Sequence, residues 1–89
     1  MQWKQENGNH ARSYSEIVAP LTSQEARALE MFVVDPSDVA IAKQMDRSPQ
    51  TVRNYVASIQ KKLGVRSRAE LMKVVLLAKV REEFLERFG

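Results

Sequence analysis

The stretch 48-SPQTVRNYVASIQKKLG-64 decides how this chain folds. Ser48 followed by Pro49 is a strong helix start. The serine oxygen can accept from an orphan amide, and a proline at the first helical position lacks an N–H that would be unpaired anyway. From there Val52, Val56, Ile59 and Leu63 recur at helical spacing and make one apolar stripe. Gly64, with Val65 behind it, predicts a Schellman stop.

Working outward, Leu21-Thr22-Ser23-Gln24-Glu25 opens another helix. Thr22 and Glu25 form a capping box, the hydroxyl taking one amide and the carboxylate returning to the cap, while Leu21 can staple onto Ala26. This helix is expected to reach about Val34 with Ala26, Leu29, Phe32 and Val33 facing inward, and Asp35-Pro36 stops it. Ser37 caps a short helix over roughly 38–45, with Ile41, Ala42 and Met45 inward. Asp46-Arg47 then make a tight turn into Ser48. Downstream, Ser67 and Glu70 give a second capping box, starting a helix that can run to Arg87. Residues 1–20 contain Asn-Gly-Asn and no sustained period, and read as a flexible arm with Trp3, Tyr14, Ile17 and Val18 as docking points. The expectation is an all-α body of four helices over 21–89 following an arm over 1–20.

Eighty-nine residues hold one domain with a thin core, and without cysteine neither disulfides nor thiolate metal sites are available. No apolar run approaches the roughly 18 residues of a membrane span, and no signal segment opens the chain. The expected compartment is therefore cytoplasmic. The net charge of +3 conceals an uneven distribution. Residues 21–46 carry Arg27 and Lys43 against Glu25, Glu30, Asp35, Asp38 and Asp46. Residues 47–68 carry Arg47, Arg53, Lys61, Lys62, Arg66 and Arg68 with no acid at all. A basic block of that kind attracts polyanions.

A short helix, a three-residue turn and a second helix, with small Ala42 at the crossing, is helix-turn-helix architecture. The string around it is more specific. Leu21-Thr22-x-x-Glu25, Ile41-Ala42, Ser48-Pro49-x-Thr51-Val52-Arg53-Asn54 and Lys62-Leu63-Gly64-Val65-Arg66-Ser67-Arg68 together resemble the LuxR-type (GerE-like) DNA-binding domain over residues 21 to about 75. The resemblance implies a four-helix bacterial transcription regulator whose third helix enters the major groove of double-stranded DNA and whose fourth commonly forms a two-fold dimer. With twenty unpatterned residues upstream, the chain is similar to the small stand-alone members, or is a fragment. Three departures stand out. Asp35 and Asp46 occupy places where the family favours glycine, so both are expected at positive φ, and Arg47 replaces an apolar turn residue. Gln24 also replaces a common basic residue.

With the apolar stripe inward, the third helix turns Gln50, Arg53, Asn54, Ala57 and Lys61 outward. Arginine can chelate guanine and asparagine adenine in the major groove, and a small methyl can meet that of thymine. The resemblance makes Arg53, Asn54 and Ala57 the base-facing positions. Ser48, Gln50 and Thr51 at the helix N-terminus, with Arg47, Lys61, Lys62 and Arg66, are the expected phosphate contacts. Thr51 has a second reading as a cap residue, one lysine can serve as a stem over the core, and Tyr55 reads as core edge.

The fourth helix carries two apolar stripes. Leu71, Val74, Val75 and Ala78 can cover the core. Leu76, Leu77, Val80 and Phe84, with Phe88 beyond, then need another partner. A second copy is expected to supply it, making a homodimer with an inverted-repeat site. The competing arrangement has the arm fold back with Trp3 and Tyr14. No cofactor or metal is expected: His10 stands alone, and neither a phosphate loop nor a cleft with paired acids can be built, so an enzyme is disfavoured. The serious alternative is a protein-interaction module that binds RNA polymerase or another regulator without reading DNA sequence.

Overall fold

The computed structural model describes residues 12–89, and these form five helices and no strand. They are α1 (Tyr14–Val18), α2 (Ser23–Val34), α3 (Asp38–Met45), α4 (Pro49–Leu63) and α5 (Arg68–Phe88). The all-α class stands, with one helix more than the sequence pattern led us to expect.

The additional helix is α1, inside the segment expected to be a flexible arm. Ser13 and Glu16 form a complete capping box there, and Ile17 is fully buried. Burying one such side chain contributes about 1.5–3 kcal/mol, enough to dock a five-residue helix that could not stand alone. Helical periodicity cannot register in five residues, which is why the segment looked patternless. Tyr14 of α1 hydrogen-bonds to Glu30 on α2, and the Lys79 ammonium of α5 lies 4.3 Å from the centre of its ring. Burial, and then the Glu30 carboxylate, push the Tyr14 hydroxyl above its ordinary pKa. Trp3 and His10 lie outside the described residues.

The other starts and stops follow local chemistry. Thr22 and Glu25 make the expected reciprocal cap of α2. Ser37, Ser48 and Ser67 each accept an amide three residues on. At α5 the second half of the expected box differs: Glu70 accepts from the Arg66 amide at 2.7 Å, not from Ser67. Gly64 sits at φ 72° and the Val65 amide reaches back to the Gln60 carbonyl at 3.0 Å, the six-to-one bond of a Schellman stop. Asp46 adopts φ 57°, as its place in the turn required, and Arg47 makes the matching return bond to Ala42 at 2.9 Å. Asp35 does not share that conformation. At φ −152° it is extended, and its carboxylate accepts from the Ser37 amide, so α2 ends on an acid-capped extended link and no left-handed residue is needed.

One core joins all five helices. α3 packs on α4, α2 touches α3, α4 and α5, and α1 lies on α5. The stripe of Val52, Val56, Ile59 and Leu63 is buried, as are Ile41, Ala42 and Met45. On α2 the inward face is rotated from the expected one: Ala28 is fully buried with Leu29 and Phe32, while Ala26 and Val33 are only half-buried. The rotation brings Glu25 inward as well, at 6% exposure.

Candidate nucleic-acid interface

The second helix of a helix-turn-helix must show one face to solvent while the other is held rigidly, and α4 does both. Its buried stripe is flanked by two polar ties to the body. On one shoulder, Ser58 and Lys62 meet the buried Glu25 carboxylate of α2. Ser58 Oγ donates to Oε2 at 2.6 Å and Lys62 Nζ to Oε1 at 2.8 Å, while the Thr22 amide adds a third bond at 2.9 Å. Burial raises the Glu25 pKa, but the Lys62 ammonium, the Ser58 hydroxyl and the Thr22 amide outweigh it and bring the carboxyl down to about 2. On the other shoulder, Asp38 at the start of α3 pairs with Arg68 at 2.9 Å and approaches Arg53 at 3.7 Å. Arg68 also donates to the Pro36 carbonyl and lies 5.2 Å from the centre of the Phe32 ring. Two carboxylates thus link α4 to its neighbours, Glu25 to α2 and Asp38 to α3 and, through Arg68, to α5.

The arc between these shoulders carries Gln50, Arg53, Asn54, Ala57 and Lys61, all exposed. Arg53 Nη2 donates to Gln50 Oε1, and Gln50 Nε2 donates to Asn54 Oδ1, each at 3.1 Å. The three expected base-facing residues therefore share one exposed face.

The expected phosphate set divides. Lys61 and Arg66 are exposed and have no ion-pair partner among the described residues. Arg47 is exposed at the turn and bonds only weakly to its neighbour's carbonyl, Asp46, at 3.4 Å. Ser48 and Thr51 sit at the head of α4, but the Ser48 oxygen already accepts from the Thr51 amide and lies 3.0 Å from the Thr51 hydroxyl. Pro49 has no amide and the Val52 amide reaches Ser48, so the Gln50 amide alone remains open in the first turn of α4. Lys62 stands apart from the arc, its ammonium bound to Glu25. Arg68, the last cation of the basic block, is likewise spent on holding the fold.

Glu25, Ser58, Asp38 and Arg68 were not singled out for the site from sequence. Ser58 and Lys62 are one helical turn apart, which places them on one shoulder. Nothing local says that the capping carboxylate of α2, 37 residues from Lys62, is what they meet.

On α5 the inner stripe of Leu71, Val74, Val75 and Ala78 is buried, while Leu76, Leu77, Val80 and Phe84 are exposed. Leu85 and Phe88 extend that outer surface, and the Phe84 and Phe88 rings pack at 4.9 Å. α1 covers other parts of α5 and leaves this stripe open among the described residues. No helix among them is long and apolar enough to cross a membrane.

A docked pair, α3 and α4, joined by a three-residue turn and presenting a cationic polar face, defines a helix-turn-helix DNA-binding domain. Comparison with known proteins specifies it further. The family of bacterial regulatory proteins described as the luxR family matches residues 19–75, more than half of the chain, and the chain belongs to that family. Its members are DNA-binding transcription regulators, not enzymes. The chain is also 36% identical over 50 residues to the spore germination protein GerE of Bacillus subtilis (strain 168), covering 56% of this chain and 68% of that protein. No solved structure gave a significant match.

Proposed function

We propose that this chain is a sequence-specific transcription regulator that inserts α4 in the major groove of double-stranded DNA and acts as a two-fold dimer joined through α5. The observation that carries this reading is the exposed arc of α4. Arg53 and Asn54 there offer donor and acceptor groups suited to guanine and adenine edges, and Ala57 leaves room for close approach. Arg47, Lys61 and Arg66 around it can neutralise phosphates, and the open Gln50 amide adds a donor at the helix N-terminus. A dimer through the outer stripe of α5 would repeat the reading helix about one duplex turn away and so favour an inverted repeat.

The test is selection of bound duplexes from a random library, with Arg53→Ala run in parallel. An inverted repeat is expected from the wild type. The variant should lose about 1–3 kcal/mol of discrimination at one base pair per half-site. Binding without any enriched motif would sink the reading.

A second reading rests on a different surface. Val34 and Val39, 86% and 63% exposed, flank the acidic link of Asp35 at the corner of α2 and α3. Apolar side chains beside an acid suit a protein partner such as RNA polymerase, and this surface could act with or without DNA reading. Substituting Val34 and Val39 by serine should abolish polymerase binding and spare DNA selection if the corner serves that role.

A further inference from the structure

Gln50 was expected to touch phosphate, yet its side chain occupies a different place. It lies three residues before Arg53 and four before Asn54, so both share its helical face. Its carbonyl accepts from Arg53 Nη2 and its amide donates to Asn54 Oδ1, both at 3.1 Å.

The polarity of this chain of bonds follows from the chemistry of its ends. An arginine only donates, so the Gln50 atom facing it must be the oxygen. The nitrogen of the same amide then faces Asn54, and the Asn54 atom meeting it must in turn be an oxygen. The Asn54 nitrogen is therefore left as the outward donor, and its oxygen keeps one lone pair. Adenine in the major groove presents one acceptor and one donor, which that arrangement meets without turning the amide over. At the other end, Asp38 stands 3.7 Å from Arg53 Nη1 and attracts the second arm of the guanidinium from outside the helix. A terminal amide accepts on one side and donates on the other, which neither a carboxylate nor an aliphatic side chain can do.

We propose that Gln50 is a specificity-positioning residue that joins Arg53 and Asn54 into one reading unit, so that their two base preferences are coupled. The proposal rests on α4 being the major-groove element, and it adds that two base pairs are read jointly, through a third side chain that touches neither. Removing Gln50 frees the Arg53 guanidinium on one side and lets the Asn54 amide present either of its two ends.

The experiment is duplex selection with the full chain as wild type, Gln50→Ala and Gln50→Glu, with Arg53→Ala and Asn54→Ala marking which base pair each residue reads. Gln50→Ala is expected to relax preference at both marked positions together, by about tenfold at each, the lower part of what a bidentate contact discriminates. Gln50→Glu keeps an acceptor for Arg53 and loses the donor to Asn54. Preference should then return at the Arg53 position and stay relaxed at the Asn54 position. A Gln50→Ala variant that weakens all sequences by one factor with the motif intact overturns the proposal and leaves Gln50 as a backbone contact. A wild type that enriches no motif overturns the major-groove reading and the proposal with it. In the DNA-free protein, Gln50→Ala should shift the side-chain amide resonances of Asn54. Unmoved resonances would show that no such unit exists and overturn the proposal independently of DNA.

Discussion

The outer arc of α4 and the outer stripe of α5 are both exposed, and they differ in almost everything else. On α4 the side chains are polar and bonded to one another: Arg53 to Gln50, Gln50 to Asn54. On α5 they are apolar, with Leu77, Val80, Phe84 and Phe88 between 43% and 72% exposed. Exposed polar groups bond to water or to each other at little net cost, so α4 gains nothing by being covered indiscriminately. A partner for this face would have to offer complementary charge and hydrogen-bonding groups, as base edges and phosphates do. Each Å² of apolar stripe left in water, by contrast, costs about 25 cal/mol, and any surface of suitable shape and apolarity relieves it. In the proposed function, selectivity is therefore assigned to α4 and bulk association energy to α5. The support beneath them differs too. α4 is held on both shoulders by carboxylates, Glu25 and Asp38, whereas the last turns of α5 from Arg81 onward are exposed throughout.

The strongest way to break the contrast is to make the stripe polar. Leu77→Asp combined with Val80→Asp is expected to weaken self-association at least 100-fold, the equivalent of about 3 kcal/mol, read by sedimentation. The fold should remain, since both side chains are outside the core. A wild type that is monomeric at high concentration would remove the dimer from the argument altogether.

Next in size is the support of α4. The Glu25 carboxyl is lowered from 4.5 to about 2 in the folded protein. Its contribution is therefore fully present above the unfolded value, near pH 4.5, and is lost as pH falls toward 2. On the order of 2–3 kcal/mol is at stake, at the lower end because Lys62 is partly exposed. Urea unfolding between pH 6 and pH 3 should show this loss, and Glu25→Gln should flatten the profile. An unchanged slope in the variant would mean that another carboxylate governs acid stability.

The smallest effect sharpens the division within the arc itself. Lys61→Ala is expected to weaken binding to all duplexes alike and to reduce the slope of log affinity against log salt by about one. If Lys61→Ala and Arg53→Ala gave the same profile, the separation of phosphate from base contacts on α4 would be wrong.

Much of the fold was legible because its signals are local. Ser48-Pro49 and Gly64 bracket α4 by capping chemistry, and the Val52, Val56, Ile59, Leu63 stripe orients it, so the outward position of Arg53, Asn54 and Ala57 followed directly. Ser37 and the turn at Asp46 likewise placed α3. α1 was missed because five residues are too few for a helical period, and its stability comes from Ile17 entering a core assembled elsewhere. The inward face of α2 was misjudged for a related reason. Ala26 and Ala28 are equally apolar, and only packing against α4 and α5 decides which is buried.

The sequence by itself determined the class, the boundaries of α2, α3 and α4, the basic block and the excess of apolar surface on α5. Each depends on interactions within a few residues or on composition. Only the tertiary structure decided which cations remain available. Lys61 and Lys62 are neighbours of one residue type, yet among the described residues one has no ion-pair partner while the other is bound to a carboxylate 37 residues away. Arg53 and Arg68 share Asp38 across three helices. A charge is worth what its surroundings leave of it, and in a folded chain those surroundings come from residues distant in sequence.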